Sequence, residues 1–350
     1  MSQVIPPWEP TYAQESSRKS APLPYAIVFP GQGAQYTGMG ASLFAASDAA
    51  KQVYVEAEQW TGLPIREVSF VEDDAGRLSD TAYTQPCLLA ASLAAWETFR
   101  EAFPHPPAYM AGHSAGEYAA LAAAGIVSRA DALRLIAERG RLMSGMQRGA
   151  MAAIKDAPGE TIERLCRQAV VPGGVLVPAN RNSPAQTVVS GDAESVDALL
   201  ELALDEEVTV FPLAVSGAFH SPLMEPAARA FASVLADVFF HRGGTPVVSN
   251  VTARPEEGQA WERLLREQIT SPVLWEASVR HLLGQGIRLF VELGPGQVLS
   301  RLIRAVDPDA VTLHVEDAET LRIAVDHIQS EFREELVGAC HFSHWKHGRE

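Results

Sequence analysis

Cysteine is scarce in this 350-residue chain: Cys87, Cys166 and Cys340 are an odd count at wide spacings, which implies no disulfide framework. There is no CxxC pair and no HExxH pattern, so the ligand spacings that hold zinc are absent. No apolar run approaches the roughly 20 residues that span a bilayer. Basic charge is short as well: 28 Lys plus Arg stand against 43 Asp plus Glu, a formal net charge of −15. That balance argues against a general nucleic-acid binder, whose footprint is a basic field, although it leaves room for a local basic patch. The N-terminus carries Pro6, Pro7, Pro10 and a polar run in place of a basic patch before an apolar core, so no secretory signal is read there. What is left is a soluble protein of a reducing compartment, expected in the cytoplasm, with no metal, no nucleic acid and no membrane among its partners.

Hydrophobic residues make up 47% and charged residues 20%, enough to bury a sizeable core in one large α/β domain with a smaller insert. Residues 1–24 read as an extended arm, with Pro22 and Pro24 opposing regular structure. A short apolar run, Tyr25–Phe29, fits a buried strand ended by Pro30-Gly31. Helical stretches follow near 41–60 and 84–102, the second stopped by the proline cluster at 104–107. A strand, a sharp turn and a helix occupy 109–124, and another helix spans 129–147. Between 150 and 215 the rhythm changes to short elements in the order β-α-β-β-α-β, with strands at 150–155, 175–179, 187–190 and 208–215. A long helix at 225–240, a strand at 246–251, helices near 259–269 and 275–284, a strand at 288–292 and a strand–helix pair over 310–336 complete the pattern. This predicts an α/β fold. A large α/β-hydrolase-like domain with a mostly parallel sheet covers 25–148 and 217–336, a smaller ferredoxin-like insert covers 149–216, and a tail covers 337–350. Cys340, His341, His344 and His347 in that tail have no supporting carboxylates and read as a frayed end, not a metal site.

Gly112-His113-Ser114-Ala115-Gly116 fits G-x-S-x-G, a turn that pushes a serine out of a sheet and needs small neighbours to do so. The helix that follows aims unpaired N–H groups at the reacting centre. A serine hydroxyl near neutral pH needs a base within hydrogen-bond reach. His113 adjoins the serine, but on the strand side it reads as a packing residue. His220 lies in a loop where the insert returns to the main domain; a lone histidine in such a loop is more often structural.

Three segments, Phe29-Pro30-Gly31-Gln32-Gly33-Ala34-Gln35, Gly112-His113-Ser114-Ala115-Gly116-Glu117 and Gly217-Ala218-Phe219-His220-Ser221, occur in this order. With Thr84-Gln85-Pro86, Glu138-Arg139-Gly140, Asn182-Ser183-Pro184, Ser249-Asn250-Val251 and Glu292-Leu293-Gly294-Pro295-Gly296 they resemble malonyl-CoA:acyl carrier protein transacylases and the related acyltransferase domains of polyketide synthases. The match runs from about residue 25 to 330. The resemblance implies Ser114 as nucleophile and His220 as its base, the histidine oriented by a backbone carbonyl in the region of Gln268. It implies Gln32 and Ala115 as the backbone N–H donors of an oxyanion hole, and Arg139 as the fork that binds the free carboxylate of malonate. On helix position alone Arg139 would be a surface partner of Glu138. Phe219 just before the histidine resembles malonyl-selecting members, where a phenyl crowds an extra methyl worth about 1–3 kcal/mol of discrimination. Ala115 departs from the leucine, valine or glutamine common at its position.

The implied reaction is ping-pong transfer of malonyl from coenzyme A to the phosphopantetheine thiol of an acyl carrier protein. The thioester is a substrate and the phosphopantetheine is carried by the partner, so no cofactor of the enzyme's own is expected. Because carrier proteins are acidic, a basic rim is expected from Arg181, Arg301 and Arg304, with Arg141 and Arg148 as further candidates. The chain is expected to act as a free-standing monomer. Three other readings share these residues: a serine hydrolase that strips acyl groups from carriers, which has no need of Arg139; a transferase of an unusual acyl unit between carriers; and a non-enzymatic docking module.

Overall fold

The computed structural model describes residues 24–71, 76–146, 149–215 and 217–343, with side chains as far as 330. Most of the N-terminal arm (1–23), Arg148, His344, His347 and the side chains of Cys340 and His341 lie outside the described residues. The chain divides into one unit, Pro24–His327, and a second formed by Met1–Leu23 and Ile328–Glu350, whose described part is the end of the helix Ala318–Ser343.

Among the described residues of Pro24–His327, ten strands build two sheets: β1 (Tyr25–Phe29), β2 (Tyr109–Gly112), β3 (Ala150–Lys155), β4 (Leu176–Ser183), β5 (Gln186–Gly191), β6 (Thr209–Pro212), β7 (Val247–Val248), β8 (Pro255–Glu256), β9 (Leu289–Leu293) and β10 (Val311–Val315). The larger sheet runs β10-β9-β1-β2-β7-β8, parallel throughout except for the antiparallel β7–β8 pair. Every residue of β1 and β9 is buried, as expected of central strands covered by helices on both faces. Trp275, Val279, Leu282, Phe290 and Ile303 pack together on one side. The alanine-rich helix Thr81–Ala102, buried almost along its length, belongs to the same unit. Four antiparallel strands in the order β4-β5-β3-β6 form the second sheet, with Ile154, Ile162, Leu165, Val189, Val196 and Leu199 joining it to its two helices, Gly159–Ala169 and Ala193–Asp205. A backbone bridge ties the two parts: Arg181 N donates to Val273 O (2.9 Å) and Val273 N to Ala179 O (2.8 Å).

The fold is α/β with one mostly parallel and one antiparallel sheet. Several boundaries move for visible reasons. The helix expected over 41–60 breaks at Ser47, whose hydroxyl accepts from Ala50 N and caps the second piece. The next helix starts at Thr81, three residues earlier than its sequence suggests, because Asp80 caps it; Pro86 sits inside it. Strand β6 stops at Pro212 instead of reaching 215: Leu213 N still donates to Met151 O (2.9 Å), but Val215 N then turns back onto Leu213 O (2.8 Å) in a tight turn. The helix after 225 ends at Leu235, and the expected strand 246–251 shrinks to Val247–Val248 because Asn250 is drawn into side-chain contacts described below. No helix among the described residues is long and apolar enough to cross a membrane.

Phe290 lies fully buried on β9 between β1 and β10. Phe290→Ala is expected to cost about 3–5 kcal/mol, as large-to-small changes in packed cores do. A urea unfolding midpoint close to that of the parent would contradict this placement of the core.

Candidate active site

Strands β1 and β2 pair so that Phe29 lies opposite Gly112, and the segments leaving them, Pro30-Gly31-Gln32 and His113-Ser114, emerge side by side at the carboxyl edge of the sheet. Ser114 occupies the left-handed region (φ 51°), rare for a residue with a side chain, and the helix Gly116–Ala123 begins two residues later. The flanking glycines are required by space. A Cβ on Gly112 would lie 2.0 Å from the Gly116 carbonyl, and one on Gly116 would lie 2.2 Å from Phe29 O. The strained turn is tied down by Asn250, whose Oδ1 accepts from Ser114 N (2.7 Å) while its Nδ2 donates to Gly112 O (2.6 Å).

His220 also has a positive φ, 59°. It is followed by Ser221, whose hydroxyl donates to Ala218 O and accepts from Leu223 N, fixing the turn. Its Nε2 lies 2.8 Å from Ser114 Oγ, and its Nδ1 lies 2.8 Å from Gln268 O. A carbonyl can only accept, so Nδ1 carries the proton and Nε2 is left as a lone-pair base facing the serine. Arg139 settles the other end of that bond. Its Nη2 donates to Ser114 Oγ at 3.2 Å, and because a guanidinium cannot accept, the hydroxyl proton is directed at His220. Burial, reinforced by the Arg139 charge, pushes the His220 imidazole down to about 3, so it is neutral at physiological pH.

Arg139 does not pair with Glu138, which instead holds Arg141. Its side chain is buried to 1% exposure and donates to Gln85 Oε1 (2.6 Å) and Gln268 Oε1 (3.0 Å) as well as to the serine. The Tyr118 ring lies 5.7 Å from the guanidinium carbon. Among the described residues no carboxylate approaches within ion-pair distance, and Arg139 Nε has no acceptor in hydrogen-bond geometry. A buried cation with no carboxylate in contact, next to a nucleophile, suits an incoming anion.

Gln32, Ser114, Ala115, Arg139, Phe219 and His220 line one solvent-open cavity, and Met151, Leu213 and Val215 from the smaller part close its other side. Neither the Gln32 nor the Ala115 amide donates to a protein acceptor among the described residues; the Gln32 side chain is held by Thr81 Oγ1, which donates to its Oε1 at 2.7 Å. His113 is buried, sits 2.8 Å from Asn182 Oδ1 and packs on Trp275, while also lining the cavity. Of the basic rim candidates, Arg181 pairs with Glu163, Arg141 with Glu138, and Arg304 meets Thr312 Oγ1; none of these, nor Arg301, is among the residues lining the cavity itself.

Three site residues, Glu117, Asn250 and Gln85, had no role in the sequence reading beyond their place in a motif. Glu117 is fully buried beneath the serine, accepting from Asn250 N through Oε1 (2.6 Å) and from Gln268 Nε2 through Oε2 (2.6 Å). Burial pushes its carboxyl up, while the Asn250 N–H, the Arg139 charge and the Gln268 amide pull it down. Two short bonds from N–H groups, one to each oxygen, fit the ionised form. The available signal was an acidic residue opening an otherwise apolar, alanine-rich helix.

Residues 26–336 match the acyl transferase domain family. The chain is 39% identical over 312 residues to the malonyl CoA-acyl carrier protein transacylase of Bacillus subtilis (strain 168), covering 87% of this chain and 98% of that one. It is 38% identical over 287 residues to the polyketide biosynthesis protein ThaF of Burkholderia thailandensis, covering 81% of this chain but 24% of that one. Among solved structures, malonyl-CoA:acyl carrier protein transacylase from Xanthomonas oryzae superposes with a TM-score of 0.84 at 38% identity, covering 87% of this chain and 98% of the other. A type II PKS acyl-carrier protein in complex with its malonyl-transacylase gives 0.83 at 36% identity, with 87% and 99% covered.

The depressed His220 has two consequences for pH. In the free protein the base stays neutral far below the ordinary imidazole value, so kcat/KM for acylation is expected to show no titration near pH 6.5 and to persist to about pH 5. Stability moves the other way. Below about 6.5 the unfolded imidazole binds a proton that the folded one refuses, so His220 makes the fold less stable as pH falls through that window. An acid limb centred on 6.5, removed by no other substitution, would contradict the burial of this ring.

Proposed function

The chain belongs to the acyl transferase domain family, and on that footing we propose that it moves malonyl groups from coenzyme A to the phosphopantetheine thiol of an acyl carrier protein through an ester on Ser114. Ser114 Oγ attacks the thioester carbonyl while His220 Nε2 takes its proton, the carbon–sulfur bond breaks, and the proton passes to the departing thiolate. The carrier's thiol then gives its proton to His220 and attacks the ester, and Ser114 leaves with that proton. The Gln32 and Ala115 amides hold the oxyanion in both halves; removing such a donor typically costs about 3 kcal/mol of barrier. Gln268 supports the base through its backbone carbonyl, a neutral orienter that gives the imidazolium less help than a buried carboxylate. Phe219, in the wall beside His220, crowds the α-carbon of the acyl unit.

One observation carries the reading: a fully buried guanidinium 3.2 Å from the serine hydroxyl, without a carboxylate partner of its own. A hydrolase for neutral acyl chains would gain nothing from a buried cation there, whereas the free acid of malonate supplies the missing anion. The reaction needs no cofactor of the enzyme's own, since the thioester is substrate and the phosphopantetheine comes with the carrier. Both described cysteines, Cys87 and Cys166, are buried thiols, which suits the cytoplasm. We read 149–216 as a ferredoxin-like insert, supported by its β-α-β-β-α-β order, and 25–148 with 217–336 as a hydrolase-like domain, supported by the strand–turn–helix that presents Ser114.

Ser114→Ala is expected to abolish acyl-enzyme formation with malonyl-CoA, and Arg139→Ala to weaken malonyl loading while admitting neutral acyl groups. Intact-protein mass spectrometry with a panel of acyl-CoAs checks both. A malonyl adduct persisting on Ser114→Ala would overturn the nucleophile; undiminished malonyl loading by Arg139→Ala would overturn the selection by charge.

A further inference from the structure

Arg139 and Glu117 never touch, yet one side chain connects them. The Gln268 amide accepts from Arg139 Nη2 through Oε1 (3.0 Å) and donates through Nε2 to Glu117 Oε2 (2.6 Å) and to Ser114 O (3.1 Å). An amide can turn end for end at almost no cost in shape, so its direction is set by its neighbours. Arg139 can only donate. Ionised Glu117 can only accept. Between them the amide has one satisfactory orientation, with oxygen toward the cation and nitrogen toward the carboxylate. Glu117 reaches the nucleophile by a second route, because its Oε1 accepts from Asn250 N and Asn250 holds both Ser114 N and Gly112 O. The residue whose side chain it orients, Gln268, also supplies the backbone carbonyl that fixes His220.

We propose that Glu117 is a positioning residue for malonyl recognition: it fixes the direction of the Gln268 amide and so holds the Arg139 guanidinium at the mouth of the serine. The proposal rests on the malonyl-transfer reading above. It separates polarity from bulk. Glu117→Gln keeps the volume and, with its oxygen toward Asn250 N, turns its own NH2 toward Gln268 Nε2. Relieving that donor–donor contact requires Gln268 to flip, which brings its NH2 against Arg139. Glu117→Asp is shorter but keeps two acceptor oxygens. If polarity matters, Asp outperforms Gln; if filling space is the whole role, Gln outperforms Asp.

The test compares parent, Glu117→Gln and Glu117→Asp in acylation by malonyl-CoA and by p-nitrophenyl acetate, a neutral donor to the same serine, with folding followed by circular dichroism. Glu117→Gln is expected to lower kcat/KM for malonyl-CoA by about tenfold or more, chiefly through KM, and to lower acetate ester turnover by a clearly smaller factor, since its oxygen still accepts from Asn250 N. Glu117→Asp is expected to keep more malonyl activity than Glu117→Gln. A folded Glu117→Gln within about twofold of the parent on malonyl-CoA, equal losses on both donors, or Asp falling below Gln would each overturn the proposal. Should Glu117→Gln fail to fold, the Asp variant decides alone: a raised malonyl-CoA KM with ester turnover retained supports the role, and equal losses overturn it. A parent that reacts with the ester but never with malonyl-CoA overturns the malonyl reading itself, and this proposal with it.

Discussion

A buried positive charge is the constraint around which this site is arranged. Taking a guanidinium out of water is costly unless its donors are satisfied, and satisfying them with a carboxylate in direct contact would leave nothing for a ligand. Arg139 meets the requirement with neutral acceptors. Gln85, Gln268 and the Ser114 hydroxyl each take one of its N–H groups, and the compensating anion, Glu117, stands one amide further away. The charge is thus tolerated without being cancelled. That arrangement keeps a cation available beside the nucleophile in a cavity largely walled by apolar side chains.

The same carboxylate takes part in a mechanical problem. Ser114 sits in a backbone conformation that costs about 1–3 kcal/mol for a residue with a side chain. The strain persists because β1, β2 and the helix Gly116–Ala123 approach so closely that only glycine fits at 112 and 116, and because Asn250 fastens both sides of the turn. Asn250 is in turn held by Glu117 through its own N–H. Strain at the serine and charge at the arginine therefore share one buried support.

Much of this was legible beforehand, for identifiable reasons. The fully buried strands β1 and β9 announce themselves as continuous apolar runs, and the G-x-S-x-G turn as a steric pattern. Ser114, His220, Arg139, Gln32 and Ala115 follow from the motif series, and the structure gathers all of them around one cavity. Spacing alone gave the wrong partner for Arg139: an arginine beside a glutamate on a helix reads as a surface pair, and only the fold shows that Glu138 turns outward to Arg141 while Arg139 turns in. The basic rim drawn from charge counting concerns the surface around the cavity and not its wall; there Arg181 and Arg141 already pair with local carboxylates. Short strands and helix ends moved with caps and tight turns, which act over one or two residues. Glu117's role was invisible because it depends on which side chains from 250 and 268 arrive beneath the serine, and no local pattern encodes that.

The distance between the cation and the base gives the site a further property. Arg139 Nη2 is 3.2 Å from Ser114 Oγ, which is 2.8 Å from His220 Nε2, so the guanidinium charge acts on the imidazole across a single hydroxyl. After burial, that charge is the largest influence holding the His220 proton affinity down. A carboxylate seated on Arg139 would cancel much of it, and an imidazole relieved of a nearby positive charge becomes a stronger base. On the malonyl-transfer reading, an acyl group bearing a free acid would do more than fill a complementary socket: by neutralising Arg139, it would strengthen the base that must act on it. A neutral acyl group of the same size leaves the cation uncompensated and the histidine weak. On that reading selectivity would arise in the chemical step as well as in binding, because one charge would serve both.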